Sequence, residues 1–268
     1  MFLLLLVLVA GSAAVAVAVR DGAAPAPAAS PTGTPSPTPR PEPQPEPRPL
    51  PLAGRTVVLD PGHNRDNGRH PAQIDRLVDA GGFPKACNTT GTATDAGVPE
   101  ATVNWLLAQE VRPRLEALGA RVVLTRQEDA GWGPCIDERA AVATRESAAL
   151  LLSLHADGVA GTAHGFHVIH PGLRAGWTDE TAGPSAQAAA MVRDALVEAG
   201  LEPASYVGTA GLHERTDLGT LNRASVPAVM LEAGNLRHDG DAALLTDPAG
   251  RARIADALAT AVTRFLAG

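Results

Sequence analysis

Three short apolar runs along this chain each give way to a polar residue and a glycine-bearing turn. Val57 to His63 reads VVLDPGH. Leu150 to His155 reads LLLSLH and continues into Ala156-Asp157-Gly158. Ala228 to Glu232 reads AVMLE and continues into Ala233-Gly234-Asn235. Short continuous apolar runs bounded by turn signals suit buried strands. In the first, Pro61 cannot donate to a sheet ladder and Gly62 tolerates unusual backbone angles, so the strand ends there. Two further strands are expected at Arg121 to Thr125 (RVVLT) and Gly165 to Ile169, with Arg55 to Leu59 opening the series. Helical spacing of Val103, Leu106, Leu107, Val111, Leu115 and Leu118 predicts a helix from Pro99 to Leu118, closed by Gly119. Pro113 inside it predicts a kink or a break. Other helices are expected at Ile136 to Glu146, Ser185 to Ala199 and Arg251 to Leu266. Asn64 to Val98 is a long polar, glycine-rich stretch of a kind that is often functional, and Ser205 to Arg223 is less regular. The alternation predicts an α/β fold: a single, mostly parallel, twisted sheet of about six strands with helices on both faces. If the three opening runs are parallel strands of that sheet, His63, His155 and Glu232 share one rim. That rim, outside the strand carboxyl ends, is where open α/β sheets bind ligands.

Composition changes this picture mainly at the amino terminus. Hydrophobic residues make up 45% of the chain, enough for a core, and aromatics only 3%, so the core should be aliphatic. Phe2 to Val19 carries no charge, and residues 1–22 read as a signal peptide or an N-terminal membrane anchor. Residues 23–53 are dominated by Pro and Ala and should form an extended linker. The folded domain is then expected over residues 54–268, held outside the cytoplasm: secreted, periplasmic or wall-associated, and touching a membrane only through its N-terminal segment. In such a compartment the two cysteines, Cys87 and Cys135, suggest one disulfide, closing the loop after His63 onto the domain. A net charge of −7 argues against a nucleic-acid partner.

Glu100 at a helix start would by itself be read as a carboxylate complementing the helix dipole. Beside His63 and His155 it has a second reading. Two imidazoles and a carboxylate are a ligand set typical of catalytic zinc, which keeps a fourth position for water. Glu232 would then be a base next to the metal. The spacing contains no HExxH pair. Other polar residues have plainer readings. His164, His167 and His170 fit surface or edge-strand positions, or a contact at the cleft edge. His213 and His238 flank the last strands. Asp60 and Asp157 fit turns, or the orienting of a ligand histidine. Arg139 and Asn235 are the candidates for substrate contact, with a structural ion pair as the alternative for Arg139.

VVLDPGH, the VPEATVNW helix start, LLLSLHADG and VPAVMLEAGNL, in that order, resemble the zinc-dependent N-acetylmuramoyl-L-alanine amidases of the amidase-3 family, which are cell-wall hydrolases. Thr125-Arg126, Arg139 and the segment from Ala242 through the C-terminal helix extend the resemblance over most of Arg55 to Leu266. It implies one Zn2+ per domain held by His63, Glu100 and His155, with Glu232 as the catalytic glutamate. It implies hydrolysis of the amide joining N-acetylmuramic acid to L-alanine of the stem peptide, with peptidoglycan or muropeptide fragments as partner and a monomeric enzyme. Two alternatives stand beside it: a catalytically silent wall-binding module of the same fold, and a zinc hydrolase that cuts another stem-peptide amide.

Overall fold

A computed structural model describes residues 49–268 and the isolated positions 22 and 26. The expected signal or anchor segment and nearly all of the proline-rich linker lie outside the described residues. Residues 49–268 belong to one compact unit. Its first strand, β1 (Thr56–Pro61), is followed by a 3-10 turn and a short helix, α1 (Pro71–Ile74). A hairpin, β2 (Leu77–Asp79) and β3 (Pro84–Ala86), comes next. Then follow α2 (Glu100–Ala117), β4 (Arg121–Leu124), α3 (Ile136–Arg145), β5 (Leu150–Asp157), β6 (His167–Pro171) and α4 (Ala182–Glu198). The chain closes with β7 (Leu212–Arg215), α5 (Gly219–Arg223), β8 (Ala228–Asn235), α6 (Asp239–Thr246) and α7 (Pro248–Ala267).

Six strands make the main sheet, in the order β4-β1-β5-β8-β6-β7. All neighbours are parallel except β6 and β8. Strand alternation sends Val57, Leu59, Leu152, Leu154, Val229 and Leu231 to the face covered by α2, α4 and α7. Val58, Leu151, Ile169 and Met230 face the other way, against Val142 of α3 and Leu221 of α5. With both faces covered, each central strand needs an unbroken apolar run, which is the pattern the sequence displays. Burying one such leucine contributes about 1.5–3 kcal/mol.

Four expectations need correction. Pro113 does not break α2, which runs continuously to Ala117. Pro113 is exposed, while Val111 and Leu115 on either side are fully buried and hold the helix on the sheet. The stretch 64–98 is not a bare loop but carries α1 and the β2–β3 hairpin, and 205–223 contains β7 and α5. The fold also takes in Leu52, ahead of the expected start at Gly54. Leu52 is fully buried, and its N–H donates to the carbonyl of Leu118 at 2.9 Å. Cys87 and Cys135 form a disulfide, as expected. Beside it the N–H of Ile136 donates to the Cys87 carbonyl at 2.8 Å, so β3 is tied to the start of α3.

Candidate metal centre

β1, β5 and β8 each deliver one polar side chain to the rim. Pairing of β5 with β8 sets His155 directly opposite Glu232. His63 follows the end of β1 after Pro61-Gly62 and adopts φ +57°, a left-handed conformation uncommon for a residue with a Cβ. Strain of this kind persists where surrounding contacts enforce it. Here they are explicit. Nδ1 of His63 lies 3.1 Å from the Thr89 carbonyl oxygen. A carbonyl can only accept, so Nδ1 carries a hydrogen and Nε2 is the nitrogen turned toward Glu100. That Nε2 lies 3.3 Å from Oε1 of Glu100.

Glu100 is the first residue of α2 and is buried. Its Oε2 accepts from the Thr92 N–H at 3.0 Å, and its Oε1 from the Asn104 side-chain amide at 3.2 Å. Nδ1 of His155 lies 2.9 Å from the same Oε1. The two imidazole rings stand edge to face, 4.8 Å between centroids. Gly62 is needed for this approach, because a Cβ there would fall 2.2 Å from the His155 ring. One ligand atom from each of His63, Glu100 and His155 lies within 4.8 Å of the others, so the trio can hold a metal ion. The donor set fits a cation on its own terms. Two imidazole nitrogens and a carboxylate oxygen converge there, and a cation could take the place of the proton shared by His63 Nε2 and Glu100 Oε1.

Electrostatics sort the carboxylates into two kinds. Burial opposes the charge on Glu100, yet His63 and His155 hold its carboxyl well below the ordinary range. Burial likewise opposes the His63 imidazolium, but Glu100 raises its pKa. Glu232 moves the opposite way: burial, then the charges of Glu100 and Asp157, push its carboxyl well above the ordinary range against the pull of Arg215. Its Oε2 is buried with no protein partner among the described residues. A cavity of about 270 Å3 opens beside these groups, lined by His63, His155 and Glu232 and by the apolar Ile136, Leu218 and Met230.

Arg139 and Asn235, the expected substrate contacts, both make hydrogen bonds inside the protein, and Arg139 also lines the cavity. The Arg139 guanidinium pairs with Oδ1 of Asp60 at 2.6 Å and donates to the carbonyls of Pro61, His63, Gly133 and Pro134 at 2.9–3.1 Å. It clamps the turn that carries His63. The Asn235 amide donates to Val159 and Ala163 carbonyls at 2.7 and 2.6 Å and fixes the loop after β5. Asp60 also accepts from Thr125 and Ser153, and orients Arg139 where a ligand histidine was expected. Asp157 orients His167. His164 stacks on His238, and His238 caps α6 through Asp241.

Several supporting residues were not visible in the sequence. Asn88 and Thr89 back His63, and Asn104 backs Glu100. Their only signal was position: Asn88 adjoins Cys87, and Asn104 lies one helical turn after Glu100 on the same face.

The sequence model of the Amidase_3 family, described as N-acetylmuramoyl-L-alanine amidase, matches residues 57–264. The N-acetylmuramoyl-L-alanine amidase Rv3717 of Mycobacterium tuberculosis is 42% identical over 219 residues, covering 81% of this chain and 88% of that protein. The N-acetylmuramyl-L-alanine amidase Ami1 of Mycobacterium smegmatis superposes with a TM-score of 0.76 at 42% identity, covering 80% of this chain and 98% of that one. The apo form of Ami1 from Mycobacterium abscessus gives a TM-score of 0.75 at 41% identity, covering 80% of this chain and 100% of that one.

Proposed function

Because this chain belongs to the N-acetylmuramoyl-L-alanine amidase family, we propose that His63, Glu100 and His155 hold a zinc ion and that Glu232 carries the protons of its reaction. The protein is a peptidoglycan hydrolase acting at the amide between N-acetylmuramic acid and L-alanine. The observation that most supports the assignment of roles is the β5–β8 register, which makes Glu232 the cross-strand neighbour of His155. Two imidazoles and one carboxylate are a donor set that zinc accepts while keeping a further position open. When bound, zinc supplies Lewis-acid polarisation of the scissile carbonyl and lowers the pKa of its water to roughly 7.

The rest falls to the chain's own residues. Thr89 and Asn88 fix the His63 ring, and Thr92 and Asn104 fix the Glu100 carboxylate. Outer partners of this kind typically matter tenfold to a hundredfold, roughly, in metal affinity. Glu232 takes a proton from the attacking water on Oε2 and later passes it to the nitrogen of the leaving amine. Burial, Glu100 and Asp157 raise its pKa, and so favour its holding the proton between the two transfers. The apolar side of the cavity limits water around the reacting atoms.

The same reading extends to location and assembly. The substrate is a wall polymer, disulfides persist in oxidising compartments, and the apolar segment with its proline-rich spacer suits export or anchoring. We therefore infer an extracytoplasmic enzyme. All four proposed groups come from one chain, which supports a monomer. Glu232→Gln is the test of the mechanism. The variant should fold and bind one zinc, while turnover falls roughly 10²–10⁴-fold. Turnover within a few-fold of the parent would remove Glu232 from the proton path.

A further inference from the structure

Beyond Glu232 the rim continues onto an antiparallel strand. Because β6 runs against β8, its first residue, His167, pairs directly with Glu232. Cross-strand partners share a sheet face, with Cβ atoms about 4.5–5.5 Å apart. His155, Glu232 and His167 therefore stand side by side on three adjacent strands. His167 is 3% exposed. Its Nε2 lies 2.9 Å from Oδ2 of Asp157, which also accepts from the Tyr206 hydroxyl at 2.8 Å. A carboxylate oxygen that takes the Tyr206 proton is an acceptor, so Nε2 of His167 carries a hydrogen toward Asp157 and Nδ1 is the ring nitrogen left over. That Nδ1 is buried and has no partner among the described residues, and the same is true of Oε2 of Glu232. Two buried polar atoms without partners, on neighbouring residues of one rim, call for a group that completes both.

We propose that Nδ1 of His167 accepts the N–H of the scissile amide and so turns the nitrogen toward Oε2 of Glu232. The inference rests on the amidase reading above. An amide nitrogen becomes basic only as the carbonyl carbon turns tetrahedral, and its new lone pair must then face the proton donor. The scissile nitrogen carries a single hydrogen. With that hydrogen held by His167, the lone pair is left to Glu232. The bond from carbon to the water oxygen forms, the proton taken by Glu232 moves to nitrogen, and the carbon–nitrogen bond breaks. His167 gains and loses no proton. Asp157 and Tyr206 act on this step only through His167, as positioning residues that fix its tautomer.

Two replacements separate this role from a scaffold role. Asn at position 167 keeps an acceptor near the Nδ1 position but loses the bond to Asp157. Gln keeps a donor for Asp157 but loses the acceptor. Both variants and the parent, matched for zinc content and melting temperature, are assayed on a muramoyl-L-alanyl peptide. They are also assayed on its ester counterpart, in which oxygen replaces the amide N–H. His167→Gln should lower kcat on the amide roughly tenfold to a hundredfold, the loss of one hydrogen bond at the transition state, with KM little changed. His167→Asn should stay within about fivefold of the parent, and on the ester all three should agree within about threefold. Equal losses on amide and ester, or rescue by Gln and not by Asn, would reduce His167 to a support for Asp157. Failure of the parent itself to cut the amide would instead reject the amidase reading.

Discussion

Asp60 carries no ligand atom, yet the geometry of His63 runs through it. Its two oxygens take the Thr125 and Ser153 hydroxyls and the Arg139 guanidinium, and Arg139 holds the carbonyls on either side of Gly62. Burial opposes the charge on Asp60, but Arg139 and the two hydroxyls bring its pKa from 3.8 down to about 2. A shift of that size contributes about 2 kcal/mol to folding. The folded pKa is the lower one, so this stability is complete above the unfolded value and drains away as pH falls from about 4 to about 2. Denaturant titrations across that range should record the loss. Asp60→Asn leaves Arg139 buried without its counter-charge and should cost about 3–5 kcal/mol at neutral pH. A loss below about 1 kcal/mol would mean that the four carbonyls around Arg139, with the Asn64 amide oxygen at 3.2 Å, suffice without Asp60.

At the scale of elements, the strands that carry the site could be read from the sequence because burial on both faces forces unbroken apolar runs. Their turns showed equally well, since Pro61-Gly62 and Gly234 have few other uses. What could not be read was direction. β6 has the composition of its parallel neighbours, and nothing in its periodicity marks it as antiparallel, so the placing of His167 beside Glu232 was hidden. The β2–β3 hairpin escaped because each strand has three residues and Leu77 is exposed, which erases alternation. The ion-pair reading of Arg139 agrees with its contact to Asp60, but its other partners are mostly main-chain carbonyls, which no side-chain pattern encodes. The disulfide was legible, but not its consequence. Cys87 adjoins Asn88 and Thr89, which hold His63, and the Asn88 amide donates to Pro134 next to Cys135. Replacing both cysteines by serine should lower stability by up to about 4 kcal/mol, the chain-entropy value for a loop of this size. It should also weaken zinc binding roughly tenfold through His63. Chelator competition reads the second effect, and an unchanged zinc affinity would show that the loop holds His63 without its crosslink.

In the whole molecule, sheet order explains why so few residues make a site. β1, β5, β8 and β6 are consecutive in space, so His63, His155, Glu232 and His167 line one rim although they are far apart in the chain. Glu100 joins them from the start of α2, which packs on β1 and β5. Zinc would bind only this assembled arrangement and so should stabilise it. At a hundredfold excess over the dissociation constant the gain is about 2.7 kcal/mol, which raises the melting temperature by roughly 5–10 °C for a domain of this length. Chelation should reverse the shift, and a melting curve indifferent to zinc would argue against the ligand trio. The most direct measurement joins the metal to the chemistry. The protein is stripped of metal, reloaded with zinc, incubated with muramoyl-peptides, and the products are identified by mass. The account requires release of an intact stem peptide beginning with L-alanine, lost on chelation and restored by zinc. Cleavage at another amide, or cleavage that survives removal of the metal, would contradict it.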